Sequence, residues 1–377
     1  MERYCNEWKL EVNSDKTKIA IFGNRRANPD LMFKFGDNNL EVVNSFRYLG
    51  VTFSYNGGFA KAKLEIKSQA TRAMFSLVSK CRKLKLPIDT QLELFDSTVL
   101  PIMLYGAEVW GQEKIDVLEK LHLKFLKYVL NVNSRTCNNM VYGELGRFPI
   151  YLSVKLRMLS YWCSLLTNRE TKLSKMIYDS LLNLFNRNEY CSTWIASIKN
   201  LLDDCGLSEI WNSQSIVNTN WLKNKVKQVL QDQFIQKWRS ELNNMTSCDT
   251  YVNFKEVFEL EKYLINLHDM DAARNAICKI RCNNSRIPKV VGRYRGIPRD
   301  QRICQMCAHA EAKVGDEYHV LLECSHPDIV RLRENYIHRR YYVHPNMFKC
   351  LDLLTCRHKS TTKRLGLFLN KVLKYFR

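Results

Sequence analysis

The chain has 377 residues, 46% of them apolar and 25% charged, proportions that exclude wholesale disorder and leave room for two or three domains with real cores. Its 58 Lys and Arg against 38 Asp and Glu give a formal charge of +20, an imbalance that points to a polyanionic partner, nucleic acid before any other. No apolar run reaches the roughly 18–20 residues of a membrane span, and the opening Met1-Glu2-Arg3-Tyr4-Cys5-Asn6-Glu7 does not read as a secretory leader. An intracellular place, nuclear or cytoplasmic, is therefore expected, with the 14 cysteines present as thiols or metal ligands rather than disulfides.

In chain order, the first predicted elements are strands. Lys18 to Phe22, Leu31 to Phe35, Leu40 to Val43 and Phe46 to Phe53 are short β-rich runs. Turn residues separate them at Asn24 to Asp30, Gly36-Asp37-Asn38-Asn39 and Asn44-Ser45, and Asn56-Gly57-Gly58 ends the segment. Helical periodicity follows. Ala60 to Ser79 places Ala62, Ile66, Ala70, Ala73, Phe75 and Leu77 near 3.6 spacing and closes at a basic turn, Lys80 to Lys85. Pro87-Ile88-Asp89 opens a second helix carrying Leu92, Leu94, Phe95, Val99 and Ile102. A third sets Ile115, Leu118, Leu121, Phe125 and Val129 on one stripe and Lys120, Lys124 and Lys127 on another. Residues 150–245 read as mostly helical and carry no fixed-period repeat. Their adjacent carboxylates, Asp203-Asp204, sit where a helix should end and read as an exposed terminus rather than a metal site. The expected fold is mainly α, with a small N-terminal antiparallel β segment and a C-terminal zinc knuckle.

The charge is uneven. Residues 261–377 carry 23 basic and 11 acidic side chains, more than half of the whole excess. Between Arg274 and Arg302 stand nine cations (Arg274, Lys279, Arg281, Arg286, Lys289, Arg293, Arg295, Arg299 and Arg302) against Asp300 alone. A solvated basic face is one reading of such a run. Tyr294 among the arginines, with Pro288, Gly292, Gly296 and Pro298 expected to break any helix, favours an irregular loop that contacts phosphates and stacks on bases.

The sharpest chemical pattern follows that loop: Cys304-x2-Cys307-x11-His319-x4-Cys324. Two thiolates two residues apart form one corner of a tetrahedral site, and a His and Cys five positions apart supply the other. Three thiolates and one imidazole leave no open position, which describes a structural Zn2+. A lone Cys-x2-Cys in so cysteine-rich a chain carries little weight; the downstream His and Cys carry the case. His309 and His326 are weaker alternatives to His319, and Cys278 and Cys282 read as core thiols.

Several ordered motifs resemble the C-terminal part of non-LTR (LINE-type) retrotransposon reverse transcriptases. Trp8-Lys9-Leu10-Glu11-Val12-Asn13, Lys16-Thr17-Lys18, Ile21-Phe22 and Tyr48-Leu49-Gly50-Val51 resemble the end of that family's palm. Gln69-Ala70-Thr71-Arg72-Ala73, Leu86-Pro87, Leu94-Phe95-Asp96, Pro101-Ile102-Met103-Leu104-Tyr105-Gly106, Glu108-Val109-Trp110-Gly111 and Tyr142-Gly143-Glu144-Leu145-Gly146-Arg147 continue it, and Gly292-Arg293-Tyr294 through Cys324 resembles its closing basic loop and knuckle. The match covers about residues 1–165 and 270–335, in the family's order.

The resemblance implies a division into a palm remnant with a primer-grip hairpin (1–58), a thumb-like helical region (59–135), a helical connector (136–273), a basic loop and zinc knuckle (274–335) and a basic helical tail (336–377). It implies that Lys16 would sit near the incoming triphosphate and that Phe46, Tyr48, Leu49 and Gly50 would hold the primer end. Taken alone, those four describe an ordinary amphipathic strand ending in a glycine turn. With Arg286, Arg293, Tyr294, Arg295, Arg299 and Arg302 they make up the expected nucleic-acid-binding set.

Two-metal nucleotidyl transfer needs carboxylates that hold paired Mg2+ ions. In the family these lie before the stretch that Trp8 matches, so no catalytic residue is expected here, and Mg2+ would enter only with the remainder of the palm. The expectation is a polymerase fragment that binds RNA or DNA template–primer without doing chemistry alone. The alternatives are one part of a multi-part enzyme, joined to an N-terminal polymerase portion, and a non-enzymatic zinc-dependent nucleic-acid-binding module.

Overall fold

The computed structural model describes residues 2–23, 31–189, 192–307 and 313–376. The predicted turn over Asn24 to Asp30 and the alternative ligand His309 lie outside the described residues. Among the described residues helix dominates from Ala60 onward, and the strands are confined to the N-terminal segment, as the sequence pattern requires. Among the described residues no helix is long and apolar enough to cross a membrane.

Among the described residues five strands form two small sheets. β1 (Lys18–Ala20), β3 (Asn38–Val43) and β2 (Phe33–Phe35) make the first, β2 and β3 pairing antiparallel while β1 joins β3 in parallel. β4 (Ser45–Tyr48) and β5 (Val51–Ser54) make an antiparallel hairpin, with Phe46 opposite Phe53 and Tyr48 opposite Val51. The run Phe46 to Phe53 is thus two strands folded about Leu49 and Gly50. Both turn residues have positive φ, +46° and +83°, the backbone of a tight two-residue hairpin whose twist matches its strands. Leu49 pays a steric cost there that glycine avoids. Its carbonyl accepts a 2.6 Å hydrogen bond from Tyr105 Oη, which pins the turn.

The chain divides into two compact units. The first comprises Met1–Ala73, Leu100–Leu118 and Val154–Ile216. Its core is built on Trp110 and Trp162, both fully buried. The indole N–H of Trp162 donates to Tyr178 Oη at 2.8 Å, and that hydroxyl donates to Gln214 at 2.6 Å, so the buried polar atoms are satisfied. Glu113 accepts from the Phe59 backbone at 2.9 Å and from buried Lys63 Nζ at 2.6 Å, fixing the start of helix Ala60–Leu84. Helix Thr193–Asp204 ends at the predicted Asp pair, where Asp203 accepts from Ser208 at 2.6 Å and also pairs with Lys199.

The second unit comprises Met74–Val99, Glu119–Ser153 and Val217–Arg377. Phe95 and Phe125 stack with centroids 4.2 Å apart, which accounts for the apolar stripes of helices Ile88–Thr98 and Asp116–Val129. The lysines of the second stripe point elsewhere: Lys120 and Lys124 are exposed, and Lys127 donates to the Ser134 carbonyl at 2.7 Å. Helix Asn138–Leu145 is buried along almost its whole length. It holds Glu144 against Arg281 and leads into Arg147, which makes a two-pronged pair with Asp96.

One expectation fails in this unit. Residues Pro288–Tyr294 form a helix rather than a broken loop. Proline is accommodated at the first helical position, where its missing N–H has no partner to lose. Gly292 lies inside that helix because a Cβ there would come within 2.5 Å of Arg302 Cγ, so the glycine makes room for a neighbour rather than a break.

Candidate metal centre

The four predicted ligands converge. One donor atom each from Cys304, Cys307, His319 and Cys324 lies within 4.8 Å of every other. Cys307 Sγ stands 3.5 Å from His319 Nε2. In a zinc tetrahedron with its usual bond lengths, sulfur and nitrogen ligands are about 3.6 Å apart and two sulfurs about 3.8 Å apart. The donor set therefore fits Zn2+ in chemistry and in scale. Cys304, His319 and Cys324 are buried and Cys307 is half-buried, the closed surroundings of a structural site. His326 is not in the cluster; its ring packs against Tyr375 at 5.5 Å. Cys278 and Cys282 are buried elsewhere, with sulfurs 3.9 Å apart. Among the described residues the Cys304, Cys307, His319 and Cys324 cluster is the group of three or more such side chains that could hold a metal ion.

The local fold explains the convergence. Ile303 bridges Val314 in antiparallel fashion, and Cys304 N donates to the Lys313 carbonyl at 2.9 Å, which sets the first two cysteines on a hairpin arm. His319–Glu323 forms a single π-helical turn, closed by Cys324 N donating to the His319 carbonyl at 2.7 Å. Five residues per closed ring bring His319 and Cys324 to one side, where a regular α-turn would rotate them apart. Asp316 accepts from His319 N at 2.9 Å and starts that turn.

The surroundings support the ligands. Glu323 lies beside His319, its Oε2 3.9 Å from Nδ1, beyond hydrogen-bond distance. Buried Arg333 donates to the carbonyls of Leu321 at 2.8 Å and Cys324 at 3.0 Å, so a guanidinium backs the turn that carries two ligands. Burial pushes that guanidinium below its ordinary range, and the Cys324 sulfur and Glu323 pull it back up. The Cys304 thiol is drawn down to about 3, mainly by the hydrogen bond from Cys324 and further by His319, against the effect of burial. Cys324 is raised in turn by the same bond, and Cys307 is raised by burial. Within the pair, Cys304 is the thiol drawn toward the thiolate, the form that ligates.

The basic run separates into two groups. Arg281 and Lys289 are buried and committed to ion pairs. Lys289 Nζ reaches Asp249 at 2.8 Å, Thr250 at 2.6 Å and Glu317 at 2.9 Å, tying the knuckle to helix Asp249–Phe254. Arg274 is buried and donates to the His268 carbonyl. Arg302 donates to the carbonyls of Ile297 at 2.9 Å and Lys289 at 3.2 Å, so it holds the loop rather than facing outward. Arg286, Tyr294, Arg295 and Arg299 are exposed and Arg293 is half-buried, with its guanidinium 5.1 Å from the Tyr294 ring centre. Arg299 pairs with Asp249 at 2.8 Å while keeping 61% of its side chain exposed.

The remaining candidates belong to the first unit. Lys16 is exposed in the turn after Asn13. Phe46 is 37%, Tyr48 60% and Leu49 74% exposed, so the hairpin carries apolar surface outward, and Gly50 stands beside the Tyr105 ring.

Comparison with known proteins gives one informative match. Over 114 residues the chain is 30% identical to an uncharacterized transposon-derived protein of Caenorhabditis elegans. The match takes in 29% of this chain and 39% of that protein's length. It supports a transposon origin. No family model and no solved structure matches.

Proposed function

We propose that this chain is the nucleic-acid-gripping portion of a non-LTR retrotransposon reverse transcriptase, with Zn2+ fastening its C-terminal end. The observation that carries the reading is the continuity of two features. A cluster of three cysteines and one histidine, sized for Zn2+, follows within a few residues of half-buried Arg293 and exposed Tyr294, Arg295 and Arg299. A zinc-tied knuckle beside exposed arginines and an aromatic ring suits phosphate contact with base stacking. The +20 charge and the transposon-derived relative support it from independent directions. The outward apolar hairpin at Phe46, Tyr48 and Leu49 is compatible with holding a primer end, and no catalytic role is assigned to any residue.

The reading is tested with the zinc-loaded full chain and a labelled RNA–DNA template–primer at low ionic strength. Retention that weakens steeply with added salt is expected. Failure to retain RNA or DNA under those conditions refutes it, whatever the metal content.

A further inference from the structure

The second unit contains a cleft of about 760 Å³ that the reading above leaves unused. Its lining is unusual in composition. Six asparagines, Lys279, Arg286, Lys374 and Tyr294 contribute to it, and among the described residues no carboxylate does. The three cations form no ion pair among the described residues, unlike Arg281 and Lys289 a few positions away. Two lining residues are more than nine-tenths buried yet keep a polar atom without a partner among the described residues: Asn283 at Oδ1 and Ser285 at Oγ. Buried acceptors left unmet cost free energy unless a donor reaches them. Asn283 moreover adopts positive φ, +49°, and its amide nitrogen is engaged with the Ser247 carbonyl, so the unmet oxygen is held in place.

We infer that this cleft takes one unpaired nucleotide of a single-stranded nucleic acid, its phosphates on the three cations and its base against Tyr294 and the amide wall. The inference rests on the nucleic-acid reading above and adds a place and a strand state to it. The volume lies within the usual range for a small-molecule pocket. Cations without carboxylates select an anion, amides and hydroxyls match the mixed donors and acceptors of a base edge, and an exposed ring offers a stacking face. A paired base has its Watson–Crick edge engaged and its faces covered by stacking, so the cleft favours an unpaired one.

The experiment compares fluorescence anisotropy of the zinc-loaded full chain with a labelled single strand and with a blunt duplex of the same length. The variants are Arg286→Gln with Lys374→Gln, Tyr294→Ala and Tyr294→Phe, all exposed positions whose folding is checked by unchanged zinc content and circular dichroism. Tyr294→Ala should weaken single-strand binding by about five- to a hundredfold and Tyr294→Phe should restore it, since the ring and not the hydroxyl stacks. The double charge variant should weaken the single strand at least tenfold more than the duplex. A strand bearing 4-thiouridine should photocrosslink to the peptide spanning residues 283–294. Equal loss for both probes, no loss for either, or crosslinks only elsewhere overturns the cleft while leaving nucleic-acid binding intact. Absence of binding by the unaltered chain to both probes overturns the broader reading as well.

Discussion

Glu144 and Arg281 face each other across 2.9 Å with neither side chain more than 1% exposed. The pair is held on every side: Tyr263 donates to the Glu144 carboxylate at 2.6 Å, Arg281 reaches the Leu354 carbonyl at 2.7 Å and Glu261 at 3.1 Å, and the Phe254 ring lies 4.5 Å from the guanidinium. This gives the Tyr142-to-Arg147 motif a physical meaning. It is the point at which the helix Asn138–Leu145, the helix Asp271–Arg281 and the segment before Cys356 are locked together.

Glu144→Gln should therefore be among the most destabilising polar substitutions in the chain. Removing one partner of a buried pair leaves an uncompensated charge, at a typical loss of about 3–5 kcal/mol. Denaturant unfolding of the variant and the parent measures it. Burial works to raise the Glu144 carboxyl, but Arg281, Lys255 and Tyr263 outweigh it and hold the folded value below the ordinary one. A carboxylate depressed on folding contributes stability above its unfolded value, near pH 4.3, and loses it as pH falls through the folded value. The gap between parent and variant should thus be full at neutral pH and narrow on acidification below about 4.3. A gap that is constant from pH 7 to 3 would contradict the ionised pair.

Gly143→Ala should be destabilising for a different reason. A Cβ at Gly143 would meet Tyr251 Oη at 2.6 Å and Trp238 Cζ2 at 2.7 Å, and both of those side chains are essentially fully buried. Neither ring can retreat without disturbing the core, so an overpacking cost of about 1–3 kcal/mol is expected, although alanine is the better helix former. A melting temperature equal to or above the parent's would show that the helix can shift to absorb the methyl group.

These two positions also show where the sequence stops being legible. The strands, the helix stripes and the metal quartet are written locally: periodicity reports burial, and Cys304, Cys307, His319 and Cys324 lie within one short stretch whose spacing carries the chemistry. Glu144 and Arg281 are 137 positions apart, and nothing in either neighbourhood names the other. The same blindness made Arg281 and Lys289 look like members of an outward basic run, because a list of charges does not say which are already neutralised by Glu144, Asp249 and Glu317. Pro288 and Gly292 misled for a local reason, since proline fits the first turn of a helix and a glycine inside one can mark a close neighbour.

Zinc content gives the third prediction. The purified chain should carry about one Zn2+, and Cys324→Ser should abolish it while loosening the region from Ile303 to Tyr336, because ligand burial here is coupled to folding. Arg333→Met should retain the four donors but weaken metal retention against a chelator, since it strips the Leu321 and Cys324 carbonyls of their donor. Elemental analysis after graded chelator treatment reads both. Zinc retained by Cys324→Ser at the parent's level would remove that cysteine from the site.

The basic segment yields a prediction that distinguishes its members. Each phosphate neutralised contributes roughly 0.7 to 0.9 to the slope of log affinity against log salt concentration. Arg295 is exposed and forms no ion pair among the described residues, so Arg295→Ala should flatten the slope by about one contact without altering stability. Arg299→Ala should flatten it less, because Asp249 already competes for that guanidinium at 2.8 Å. Arg302→Ala should act differently again: it removes the bonds to Ile297 and Lys289 and empties the space beside Gly292, so the loss should appear in thermal stability before it appears in the salt slope. Titration of the three variants at four or five salt concentrations, with melting curves alongside, separates these outcomes. If Arg302→Ala flattened the slope at an unchanged melting temperature while Arg295→Ala left it untouched, the outward and inward assignments of these two arginines would have to be exchanged.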